Sequence, residues 1–235
     1  MFQARRRRVL GGVALGAMLA MSGSGCGTSR EAKVDEAWLA RVPEEQLGDV
    51  RSAQSERRKA QDEVTRADVA LKDAERELQV ARHNEEASKQ RKKANEASLE
   101  AAQATGQSAE IERAKAELLN SENGVAAAQA RVNWRQQSID AMKAQKQLRE
   151  RELEMADARL RQAEYQALKQ NGDVRVAEMS EADFAAAVAD AQKKVEDARR
   201  QVDSQSQEEQ QARAQWERLR TQAQGYGGSG APVQQ

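Results

Sequence analysis

The sequence is poor in the residues that build compact catalytic domains: among 235 residues it has one cysteine, one histidine, two prolines, three Trp, two Tyr and two Phe. The lone cysteine, Cys26, excludes an intrachain disulfide, and the lone histidine, His83, has no cysteine near it at a zinc-ligand spacing. Seven rings cannot fill the thick core that a globule of this length would need. Charge of one sign is also missing. The 38 basic and 38 acidic residues are interspersed, so no positive stripe exists to draw in phosphates, and nucleic acid is not an expected partner. There is no nucleophile elbow, no Gly-rich phosphate loop and no second Cys or His to complete a dyad, so no catalytic, cofactor or metal residues are assigned and no enzyme is expected.

What the chain does have is the composition of long helices: 32% charged residues, with Ala, Glu, Gln and Arg abundant. A short amphipathic piece with Val34, Trp38, Leu39 and Val42 lies within 26–42. Pro43 then opens a helical run with Glu44 and Glu45 at its positive end. This run is expected to reach about residue 104, where Thr105-Gly106-Gln107-Ser108 supplies a glycine C-cap followed by a serine N-cap. A second helix follows over 108–170, ended by Asn171-Gly172-Asp173; Ser180 with Asp183 then reads as a capping box for a third helix over 181–222. The rod is therefore read as 43–222, and 223–235, with Gly225-Tyr226-Gly227-Gly228-Ser229-Gly230, as a disordered Gly-rich tail.

The apolar residues of both longer helices follow unbroken heptads. On the first, Val50, Val64, Leu71, Leu78 and Leu99 alternate with a row of alanines that includes Ala53, Ala60, Ala74 and Ala81; on the second, Ile111, Leu118, Val132, Ile139, Leu153 and Leu160 face a smaller row. Folding back about Gly106 sets Ala53 against Leu160, Ala60 against Leu153, Ala74 against Ile139, Ala81 against Val132 and Leu71 against Met142, so that small side chains meet large ones. A second stripe on the middle helix, including Trp134, Leu148 and Met155, is matched by Val195, Val202 and Trp216 on the third, with Phe184 near Tyr165. The expected fold class is all-α: a long antiparallel coiled-coil hairpin with a third helix packed on its membrane-proximal half, leaving two bare helices at the far end. Arg57, Glu85, Lys92, Asn95, Arg135, Lys146 and Arg149 intrude at seam positions, where polar groups fix register or snorkel to water. Gly124 falls in the same thinly apolar distal part.

The N-terminus is what points to a membrane at that end of the rod. Arg5 to Arg8 form a basic n-region and Val9 to Met21 an apolar h-region of roughly 13 residues, too short to span a bilayer. Gly23-Ser24-Gly25-Cys26 follows, small residues ending at the only cysteine. This run resembles the lipobox of bacterial lipoproteins, with Gly23 where that family has Leu or a similar apolar residue. The resemblance implies a signal peptide over 1–25, lipidation of Cys26 and a membrane held through that lipid. By the same resemblance Gly27, standing where an inner-membrane retention signal would place Asp, implies the periplasmic face of the outer membrane. Arg6-Arg7-Arg8-Val9-Leu10 is also similar to a twin-arginine export motif, so both export routes stay open.

These readings make the chain a structural or protein-interaction element of the cell envelope. Its expected partner site is the turn Thr105, Gly106, Gln107 and Ser108, carried away from the anchor on helices about 90 Å long. The partner is an envelope protein that the residues do not name. Two alternatives share this architecture: a hairpin that resembles those of periplasmic efflux adaptors and docks on a channel, and a periplasmic chaperone or spacer whose heptads pair between copies as a homo-oligomer.

Overall fold

The computed structural model describes residues 34–225. The signal peptide expected over 1–25, Cys26 and the tail from Tyr226 onward lie outside the described residues. Every regular element within them is helical: α1 (Glu36–Leu39), a 3-10 turn (Glu44–Leu47), α2 (Gly48–Thr105), α3 (Ser108–Gln170), a second 3-10 turn (Val174–Glu178) and α4 (Glu181–Gly225). The fold is all-α, dominated by three helices of 58, 63 and 45 residues. At 1.5 Å per residue they extend for about 87, 95 and 68 Å.

The helix ends follow local chemistry, and they differ from the sequence reading at four places. Pro43 does not open α2 directly; Gln46 N–H donates to the Pro43 carbonyl at 3.0 Å, a 3-10 closure, and the α-helix proper begins at Gly48. At the far end, Gly106 takes φ 71° and caps α2 with its N–H on the Gln103 carbonyl. Ser108 is not the N-cap of α3. Gln107 holds that position without a side-chain bond, and Ser108 is already helical. The connection after Asn171 and Gly172 (φ 70°) is also more ordered than a plain loop, because Asp173 accepts from Arg175 N–H and starts the 3-10 turn. The Ser180 hydroxyl accepts from Asp183 N–H at 3.3 Å, the capping contact expected there. Finally, α4 runs on to Gly225 rather than 222, since Gln222, Ala223 and Gln224 are all compatible with helix.

α3 is the central helix. Both α2 and α4 pack along it, yet no Cα of α2 comes within 8 Å of one in α4. α3 therefore carries buried residues on two flanks, Ile139 and Leu160 among those toward α2 and Trp134, Leu148 and Tyr165 among those toward α4. Ion pairs join α2 to α3 along their contact: Arg57 with Asp157, Asp68 with Lys146, Glu77 with Arg135 and Lys92 with Glu122. Toward α3, the buried and half-buried residues of α4 recur at alternating steps of three and four from Phe184 through Val188, Ala191, Val195, Ala198 and Val202 to Ala223.

The thickest packing lies where α1 joins. Val34, Leu39 and Val42 are buried with Val50, Ala53, Leu160, Leu168 and Phe184, and the Tyr165 and Phe184 rings stack at 4.8 Å. This cluster sits at the opposite end of α2 from Gly106. Leu168 is fully buried there, and its truncation to Ala should cost about 2–5 kcal/mol.

Two glycines separate turn chemistry from helix propensity. An added Cβ at Gly124 would meet nothing within 4 Å, so Gly124→Ala should stabilise α3 by about 1 kcal/mol. Gly106→Ala has equal room but a left-handed backbone, and should destabilise by about 1–2 kcal/mol. Thermal unfolding followed by circular dichroism should move the two midpoints in opposite directions.

Candidate functional site

The turn singled out from the sequence is a solvated tip. Thr105, Gly106, Gln107 and Ser108 are all exposed. The Thr105 hydroxyl lies 2.8 Å from the Ala102 carbonyl and 3.0 Å from Glu110 Oε2, and Gln107 N–H donates to it at 3.4 Å. The side chain thus ties the last turn of α2 to the first turn of α3, fixing the loop that Gly106 makes possible. Behind the tip the seam is thin. Ala114 is buried there and Leu99, Ile111 and Leu118 are half-buried, while Leu119 stands 45% exposed.

Two of the polar seam residues of the distal part, Lys92 and Asn95, have partners across it. Lys92 Nζ reaches Glu122 at 3.3 Å, and Asn95 Nδ2 donates to the Glu117 carbonyl at 3.0 Å. Glu85 pairs along its own helix with Lys89. The bare two-helix part is shorter than the third helix read as ending at 222 would leave. Ala223 and Gln224 of α4 border the same groove as Gly124, Asn120 and Asn95, so α4 covers α3 as far as that level. From Gly124 to Ser108 is about 24 Å of helix.

A second cluster was only partly legible. Trp134 and Trp216, matched by spacing, are stacked with centroids 4.7 Å apart and planes 15° from parallel. Four guanidinium groups surround them: Arg135 and Arg213 lie 4.0 and 5.8 Å from the Trp134 ring, and Arg220 and Arg131 lie 5.2 and 5.9 Å from that of Trp216. The Trp134 indole N–H donates to Glu209, a residue at a seam position of α4, and Arg135 reaches Glu77 of α2 at 2.6 Å. Burial holds the Arg135 guanidinium below its ordinary pKa against the opposing pull of Glu77. Arg135 was visible in the heptads only as a polar intrusion, and Arg131, Arg213 and Arg220 escape a hydrophobic count because affinity for indole faces leaves no heptad signal.

Near α1, Trp38 packs against the core cluster, with the Arg175 guanidinium 4.8 Å from its ring. Arg175 also grips Asp173 through Nε at 2.8 Å and a second nitrogen at 2.6 Å. That pair holds the Asp173 carboxyl down at about 2. Among the described residues, no group of three or more His, Cys, Asp and Glu is arranged to hold a metal, and no helix is long and apolar enough to cross a membrane. Cys26, the other sequence-assigned site, lies outside the described residues. No protein-family model matches the chain, and neither characterised proteins nor solved structures show significant similarity to it.

The cross-seam bridge at Asp68 can be tested by titration. Hydrogen bonds from Lys146 and then Lys72 lower its carboxyl from 3.8 to about 2. Because the folded value is depressed, the stabilisation from this carboxylate is fully present above about pH 4 and is lost as the pH falls toward 2. Carboxyl-detected NMR should give a midpoint near 2 for Asp68, and Lys146→Gln should move it up toward 3.8.

Proposed function

We propose that this chain is a non-catalytic, lipid-anchored rod of the bacterial cell envelope, which holds a partner-binding tip at a distance from the membrane. The observation that carries the reading is the polarity of the described helices. α1, the described element nearest Cys26 in sequence, packs at one end of α2, and the exposed Gly106 turn lies at the other. A lipid on Cys26 would then face the α1 end toward the bilayer and the tip toward the periplasm, about 87 Å of α2 away.

In this reading α2 and α3 form a long antiparallel coiled-coil hairpin folded back at Gly106, and α4 is laid on its membrane-proximal part. The descending order of partners supports it, from Arg57 with Asp157 through Asp68 with Lys146 to Lys92 with Glu122. So does the burial of Ala74 beside Ile139, small against large, with Leu71 and Met142 adjoining. The tip suits a docking role because its turn is fixed by Thr105 while its side chains stay solvated. The outer membrane is the proposed location, on the residue after Cys26, and an envelope protein is the proposed partner.

Two experiments test the reading separately. Metabolic labelling with a fatty-acid analogue should mark the wild-type chain and leave Cys26→Ser unlabelled and released from membranes; persistent labelling of the variant overturns the anchor. With Cys26 replaced, spin labels at positions 60 and 153 should report the close approach set by axes about 8–10 Å apart within one chain. Separation by tens of ångströms, or a short distance only between chains, overturns the hairpin.

A further inference from the structure

α2 and α4 have no backbone contact, yet one side chain of α3 reaches toward both. Arg135 bonds Glu77 of α2 at 2.6 Å through one terminal nitrogen, while its guanidinium carbon lies 4.0 Å from the ring centroid of Trp134. Trp134 in turn stacks on Trp216 of α4 and donates its indole N–H to Glu209 of α4. The side chain of Arg135 is only 19% exposed and its Nε is buried with no acceptor, so few alternative contacts are open to it in place.

The part of α4 that this relay holds is weakly secured by other means. Between Val202 and Ala212 its seam positions are the polar Gln205 and Glu209. Beyond them the residues that pack inward are Ala212, Trp216, Leu219 and Ala223, two of which are alanines that bury little area. The Trp134–Trp216 stack is therefore the main hold on the last third of α4, and its outer face is occupied by a guanidinium whose position is set from α2.

We propose that Arg135 is a coupling residue, through which the pairing of α2 with α3 at Glu77 controls how tightly the distal part of α4 is held on α3. Releasing Glu77 frees the guanidinium to leave the Trp134 ring for water, which weakens the stack; releasing α4 exposes Arg135 to solvent and loosens Glu77. Reciprocity is required, because a coupling free energy between two sites acts equally in both directions. The device would let an event on the α2 side change the cover over the α3 stripe of Ala127, Trp134 and Ala141.

Hydrogen exchange on the full chain tests this. Glu77→Gln should speed exchange of the α4 amides from Arg213 to Leu219 by about fivefold or more, the low end of ordinary coupling, although α2 has no backbone contact with α4 and the ion pair of Glu77 is with Arg135 of α3. Asp68→Asn breaks a comparable bridge between α2 and α3, to Lys146, away from the Trp pair, and should leave the same amides unchanged. Trp216→Phe, which keeps a ring in place, should in return speed exchange of α2 around Glu77. Unchanged α4 exchange in Glu77→Gln, equal acceleration by Asp68→Asn, or a Trp216→Phe effect confined to α4 would each overturn the proposal.

Discussion

The structure depends on one constraint: α3 must bury two flanks at once. Its partners bury one flank each, so α2 and α4 keep the single apolar stripe that a helix can present while staying mostly charged, whereas α3 has almost no face left over. From Ser121 to Leu168 most of its positions are buried or half-buried. With seven aromatic residues in the whole sequence, this double burial has to be achieved with small and medium side chains. Alanines such as Ala144, Ala156 and Ala158 allow the neighbouring helices to come close, and the larger residues fill between them. Among the described residues the rings stack in two pairs, Tyr165 with Phe184 and Trp134 with Trp216, toward the two ends of the α3–α4 contact, and Trp38 packs against the cluster that holds the first.

Charge follows from the same geometry. Helices this thin bring seam-flanking charges to the edge of every layer, and the polar residues that interrupt the heptads become ties between helices. Arg57, Lys146, Arg135 and Lys92 each find a carboxylate on the facing helix. Each pair stays partly open to water, so each adds little to stability by itself. Their contribution is to alignment: a slip by one heptad would separate all four together.

The all-α class, the three long helices and the Gly106 and Gly172 punctuation were readable because heptad spacing and glycine caps are local signals. The Trp134–Trp216 and Tyr165–Phe184 pairs were readable because rigid helices extend a register over tens of residues. The 3-10 turns were not, since Gln46 bonding to Pro43 and Asp173 bonding to Arg175 are choices of a single hydrogen bond that no periodicity records. The last residues of α4, to Gly225 rather than 222, were missed because a following Gly-rich stretch marks a helix end only to within a turn, and the inward placement of Glu209 was not readable because it rests on one bond from the Trp134 indole N–H. Of the candidate sites, the tip was marked by its glycine; Arg135 was legible only as a polar intrusion in the heptads, and its place with Arg131, Arg213 and Arg220 around the tryptophans emerged from three-dimensional proximity.

α2 and α4 both pack along α3 with no backbone contact between them, so wherever both are present three helices share any bending load. Beyond the end of α4 only α2 and α3 carry that load, and stiffness drops there in a single step. Side loads near the Gly106 end would therefore concentrate flexing at the level of Gly124, the helix position with the least inherent resistance to it.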